Sequence, residues 1–294
     1  SSVAQINLLL DTVIASFLFV GSQTWLALSD RLMEFPLGVF GVALGTVILP
    51  TLARHHLSTD RAGFQRALDW GLRTALLIAL PATVALVLLA KPMIATLFQH
   101  GRYNAFDTDM ATLSLTTLSC GLPAFALVKV LAAGVLRAPG HQDPGARGDR
   151  GDGGEHGAEC DPGGRAGVGL AAPELHRGGV LETLAHTPGL HMALGMASAL
   201  AGYLNLTQLW LALHRQGVYQ AQPGWLRHLG RTLLACAVMA AVLLLGRLLL
   251  WPDWTTPPAL VRLWRLLALL TAGGLAYLAV LFALGFRWRE LHEA

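Results

Sequence analysis

A chain of 294 residues that is 54% hydrophobic and 13% charged, with mean hydropathy +0.52, is not a soluble domain. Soluble domains carry about a quarter charged residues. The net charge of +3 is held mostly by arginines in short loops between apolar runs, a topology signal of membrane spans and not a nucleic-acid surface. Cys120, Cys160 and Cys236 have no redox or metal spacing. Cys120 and Cys236 read as inert core residues.

The first apolar run covers about residues 3–27 and holds Asn7 and Asp11. Asp11 has no basic residue within a helical turn. It reads either as hydrogen-bonded to neighbouring helices or as a coupling-cation or proton site, because a buried carboxylate needs a counter-charge or a proton. The second run, about 30–52, opens on Ser29-Asp30-Arg31-Leu32-Met33-Glu34-Phe35-Pro36. Helical spacing puts Asp30, Arg31 and Glu34 on one face. This cluster is either a snorkelling span end with a local ion pair or a cationic site for an anionic substrate. Gly41 and Gly45 form a small-xxx-small pair suited to close helix approach, and Pro36 and Pro50 favour a bend or a stop.

Residues 53–73 carry Arg54, Arg61, Arg66 and Arg73, with Phe64, Leu68 and Leu72 at helical spacing, which predicts a short interfacial amphipathic helix. Further spans are predicted at about 74–98 and 108–136, with Lys129 snorkelling or facing the bundle interior. From Arg137 to about Gly179 the chain turns to Gly, Arg, Asp, Pro and His, the composition of a disordered loop. His141, His156, Cys160 and His176 match no compact zinc spacing. Apolar runs resume at about 189–213, 230–250 and 260–286, with Trp251, Trp254, Trp264 and Trp288 near their ends as interfacial aromatics.

With seven runs the arginine-bearing 214–231 connector falls on the outer face, against the positive-inside rule. One more crossing between 137 and 188 repairs the topology, with Arg262 and Arg265 as the remaining exception. A one-nucleotide frame offset across codons 137–183 allows a basic connector followed by an apolar span. We state this as a hypothesis; a polar or stop-ridden alternative frame in the gene would end it.

Ala4-Gln5-Ile6-Asn7, the Asp30–Pro36 block, Gly38 to Thr46, Asp69-Trp70-Gly71-Leu72-Arg73, Phe98-Gln99-His100-Gly101, Val128-Lys129-Val130-Leu131-Ala132 and Gln222-Pro223-Gly224-Trp225 together resemble the MurJ (MviN) family of lipid II flippases. The match covers nearly all of the chain except 137–183. The resemblance implies an all-α polytopic membrane bundle with a MOP-superfamily, MATE-like transporter fold. A full member has fourteen helices in two lobes plus a C-terminal pair, so this chain is expected to be partial: the C-terminal lobe plus two extra helices. By that match residues 1–27 are a first, cavity-lining helix and 28–136 three further ones. Residues 137–183 are an aberrant stretch in place of a helix, 184–229 a helix and cytoplasmic connector, and 230–294 the final pair and tail.

The same resemblance implies flipping of undecaprenyl-diphosphate-linked precursor across the bacterial inner membrane in peptidoglycan synthesis, by alternating access. Arg31 is then an essential cavity arginine positioned by Asp30 and Glu34, and Asp11 with Asn7 is a candidate cation-coupling site. The expected partners are lipid II, membrane lipids and the missing N-terminal lobe. No cofactor is expected beyond coupling to Na+, H+ or the membrane potential. The chain carries no nucleophile–base pair, phosphate-binding Gly-rich loop or metal cluster, so no enzyme is expected. The alternatives are an inactive piece of an interrupted gene, a different MATE-like exporter, or a membrane scaffold.

Overall fold

The computed structural model describes residues 21–48, 61–136, 191–215 and 222–285, with Pro50, Gly217 and Tyr219. Among the described residues every regular element is helical. Helix α1 (Ser22–Ala43) continues into a π-helical turn, Leu44–Ile48. Then come α2 (Arg61–Leu88), α3 (Ala90–Leu97), α4 (Ala105–Ser119), α5 (Leu122–Leu136) and α6 (Met192–Arg215). Helix α7 (Trp225–Leu245) also runs on into a π turn, Gly246–Leu250, and α8 (Ala259–Ala283) is the last.

Four stretches among the described residues are long and apolar enough to cross a bilayer: Ala62–Leu88, Ala105–Val135, Trp225–Leu250 and Ala259–Ala283. Helix α1 lies along α4, and α6 along α4 and α5. These two more polar helices therefore span the same bundle by packing.

Contacts fix the directions. Trp25 meets Asp107 and Ser29 meets Ala111, so α1 and α4 run parallel. A Cβ on Gly195 would touch Thr117, and one on Gly202 would touch Phe125, so α6 also runs parallel to α4 and α5. Leu68 lies against Gly134, so α2 is antiparallel to α5. Arg247 reaches Leu88 and Arg73 reaches Gln222, so α7 runs parallel to α2. Leu136 and His191 consequently sit at opposite ends of the bundle. The expected crossing between 137 and 188 lies outside the described residues; parallel flanking helices are the arrangement it requires.

Three apolar clusters hold the bundle. At one end Phe40, Leu44, Phe64, Leu68, Val130 and Leu213 join α1, α2, α5 and α6. At the other Trp25, Met33, Ile94, Leu115 and Leu122 join α1, α3, α4 and α5. The C-terminal pair packs on α2 and α3 through Leu89, Met239, Leu243, Leu269 and Tyr277. Burying each such side chain contributes about 1.5–3 kcal/mol against water, and against lipid the gain is close packing instead.

Several sequence expectations change here. The first helical start among the described residues is Gly21, in a left-handed conformation at φ 106°, not a break near residue 30. Ser29 lies inside the helix, and its hydroxyl donates to the carbonyl of Trp25 one turn back and to that of Ala111 on α4. The Asp30–Glu34 cluster therefore lies in the body of the span; at 1.5 Å per residue Arg31 is about 14 Å from Ser22. Residues 61–73 are not a separate interfacial helix but the first turns of α2. Phe64, Leu68 and Leu72 face protein and are buried. Open space surrounds Gly41 and Gly45, so their expected close helix contact is not made among the described residues. Cys120 is exposed, at the kink between α4 and α5 three residues before Pro123, whereas Cys236 is buried. Trp254 is core, 3% exposed, and not an interfacial anchor like Trp264 at 69%.

Candidate functional site

The packed edge of α1 is made by Trp25, Ser29, Met33, Phe40 and Leu44, all buried. The opposite edge is exposed and carries Arg31, Glu34, Phe35, Gly38, Val42 and Gly45 at successive helical turns. Arg31 and Glu34 share this edge, and among the described residues no ion pair joins them. Asp30 sits a third of a turn aside, half-buried, and has an interaction of its own. An arginine and a glutamate at this depth are expensive against lipid tails, so this edge faces water or another polar surface. No Cβ contact restricts Gly38 or Gly45, so the edge is smooth beyond the charges. Such a strip can bind an oxyanion through a guanidinium fork and leave room for bulk beside it. Asn7 and Asp11 lie outside the described residues.

A second polar centre was visible in the sequence only as two unconnected motifs. Asp69 is 3% exposed on α2. Its Oδ1 accepts from the Tyr219 hydroxyl at 2.7 Å, the Trp225 indole at 2.7 Å and the Gln222 amide at 3.3 Å. Its Oδ2 pairs with Arg73 Nε at 2.7 Å. Arg73 also donates to the carbonyls of Gln222 and Pro223, and lies over the Trp225 ring at 5.3 Å. One carboxylate thus anchors the connector before α7 onto α2. Burial, and then the carboxylate, hold the Tyr219 phenol well above its ordinary range, so it stays a donor. The link was unreadable in sequence because the partners are separated by some 150 residues.

The opposite end has its own cluster. Asn104 and Asp107 form a capping box at the start of α4. Asp107 also accepts from the Trp25 indole at 3.2 Å, and Lys91 pairs with Asp109 at 2.7 Å. Arg247 and Arg262 donate hydrogen bonds to carbonyls inside the bundle. Cations spent this way carry little topological information. That accounts for Arg262, which the positive-inside count left as an exception. The end bearing Arg66, Arg73, Arg215, Arg227 and Arg231 is the one that the positive-inside rule assigns to the cytoplasm.

Comparison with known proteins gives this chain relatives along its whole length. The family model described as "Lipid II flippase MurJ" matches residues 1–134, the segment that holds the Arg31 edge and Asp69. The chain is 36% identical to the "Probable lipid II flippase MurJ" of Vibrio cholerae over 100% of its own length and 51% of the relative's. It is 35% identical to that of Haemophilus influenzae, covering 99% and 53%. It is 33% identical to the "Lipid II flippase MurJ" of Burkholderia cenocepacia, covering 98% and 51%. The chain thus spans about half the length of the curated relatives it matches.

Proposed function

The chain belongs to the MurJ family, as a multi-pass inner-membrane protein, and from that premise we propose that it supplies one wall of a lipid II flippase. The observation that carries the proposal is the exposed, charge-bearing edge in the body of helix α1, which packs along the membrane-capable α4. Lipid II bears a diphosphate, a sugar–peptide head and an isoprenoid tail. Arg31 grips diphosphate oxygens through a bidentate, charge-assisted guanidinium contact, stronger than a neutral hydrogen bond. Glu34 on the same edge and Asp30 beside it bring negative charge near the guanidinium, so the unloaded edge is not a bare patch of positive charge. Gly38 and Gly45 leave the path for the head group clear. Translocation then needs only inward- and outward-open states, with no bond made or broken, so the chain acts as a carrier and not as an enzyme. Asp11 with Asn7 is the proposed coupling site for Na+ or H+, the membrane potential being the alternative drive. The remaining half of such a protein provides the facing wall.

The test is complementation of a flippase-depleted bacterium by the full-length gene. Arg31→Ala is expected to abolish growth and Arg31→Lys to restore it only in part, with membrane levels unchanged. Normal growth on Arg31→Ala would remove Arg31 from the mechanism. Growth supported by residues 1–294 alone would show that no second wall is needed.

A further inference from the structure

Residue i of a helix normally donates its N–H to the carbonyl of residue i−4, and proline has no N–H to give. Pro81 therefore leaves the Leu77 carbonyl without its helical partner, and Pro92 leaves that of Leu88. Ala95 lies in the last turn of α3, where carbonyls also run out of donors. All three acceptors are filled from the C-terminal pair. Tyr277 Oη donates to the Leu77 carbonyl at 2.7 Å. Arg247 Nη1 donates to that of Leu88 at 2.7 Å. Arg262 Nη1 donates to that of Ala95 at 2.6 Å and to Gln99 at 3.3 Å. At the cytoplasmic end Asp69 adds the fourth tie, to the connector that starts α7. The ties are spaced along the whole length of α2 and α3, and the apolar cluster of Leu89, Met239, Leu243 and Leu269 fills the interval.

We propose that α7 and α8 are riveted to α2 and α3 at carbonyls vacated by Pro81, Pro92 and the end of α3, and move with them as one body. A donor withdrawn from the Leu77, Leu88 or Ala95 carbonyl leaves that acceptor unpaired inside the bundle, where no water replaces the lost bond. Sliding or swinging of the pair against α2 is therefore opposed at every level of the membrane. The prolines, which usually mark hinges, serve here as docking points. This inference stands apart from the flippase reading and needs no substrate.

Spin-label distances in nanodiscs test it, on the full 294-residue chain with Cys120, Cys160 and Cys236 replaced. Labels at Arg66 and Arg227 report the cytoplasmic end, and labels at Arg102 and Leu260 the outer end; all four positions are exposed. The expected result is one narrow distance for each pair. Tyr277→Phe and Arg247→Met each roughly double the width of the distribution. Replacing the matching proline restores an N–H donor, so Pro81→Ala with Tyr277→Phe, and Pro92→Ala with Arg247→Met, return close to the parent width. Two distance populations in the parent chain would overturn the single body. Tyr277→Phe without effect, or a proline replacement that fails to suppress it, would overturn the rivets. Should Arg247→Met not fold, the Tyr277 arm decides alone, since it removes a single hydroxyl.

Discussion

At the scale of single residues, Asp69 has the largest expected effect on stability. It is buried, ion-paired to Arg73 and acceptor to two side chains and an amide of the connector. Asp69→Ala leaves those donors unmatched and Arg73 without its counter-charge. The expected loss is about 3–5 kcal/mol, read as a lower unfolding midpoint in detergent. Asp69→Asn keeps an acceptor oxygen and should cost about 1–3 kcal/mol. An Asp69→Ala chain as stable as its parent would mean that packing alone holds the connector. His191 gives a pH dependence of defined sign. Its Nε2 must be the donor to the Met110 carbonyl at 2.9 Å, which leaves Nδ1 bare, buried and unpartnered. Burial holds its pKa below the ordinary 6.5, so the folded ring is neutral where the unfolded ring takes a proton. Stability is full above about pH 6.5 and falls as the pH drops from there towards the lowered folded value. His191→Gln should flatten that part of the stability profile; an unchanged acid slope would point to another group. Asp69 stood in the sequence only as part of a family motif and His191 not at all; both take their meaning from partners about 80 to 150 residues distant.

At the scale of elements, the glycines separate into two kinds that composition does not distinguish. A Cβ at Gly121 would sit 2.9 Å from the Ala199 Cα and 2.8 Å from Phe125. Gly121→Ala must push α6 off the α4–α5 kink, and we expect a loss of about 1–3 kcal/mol. Gly38 has open space around it, so Gly38→Ala should leave stability level or raise it by up to about 1 kcal/mol. If the α1 edge lines the substrate path, Gly38→Trp in the full-length gene should block growth while the protein still reaches the membrane. Thermal unfolding of the two alanine variants checks the contrast, and equal costs would deny it. Helix α2 teaches a related lesson. Its arginine-rich start resembles an interfacial helix, because amphipathic periodicity is the same whether the apolar face meets lipid or protein. Only the partners, α5 and the end of α6, show that the face of Phe64 and Leu68 is core.

At the scale of the whole molecule, the parallel run of α4–α5 and α6 is the decisive feature. It puts Gly217 and Arg66 at one end, which the positive-inside rule assigns to the cytoplasm, with Arg102 and Leu260 at the other. Single cysteines on a cysteine-free background should follow suit. Arg102→Cys and Leu260→Cys are expected to react with an impermeant maleimide in intact spheroplasts; Arg66→Cys and Gly217→Cys only after permeabilisation. Labelling of Gly217→Cys from outside would invert α6 and with it the parallel pairing.

Sequence alone determined the class of molecule. Apolar runs of span length, arginine asymmetry and a family-specific charged block are local or compositional properties that need no fold to be read. It also located a charge cluster too costly to face lipid. Tertiary structure decided everything that depends on who sits opposite whom. It moved Arg31 into the body of a helix that runs from Ser22, where Ser29 bonds across to Ala111 on α4. It joined Asp69 to a connector some 150 residues away, and turned Arg262 from a topological exception into a structural tie. It also placed Tyr277 and Arg247 on the Leu77 and Leu88 carbonyls that Pro81 and Pro92 leave without a helical donor. Each of these rests on a hydrogen bond between segments far apart in the chain, and the energy of such a bond exists only once packing has brought donor and acceptor together.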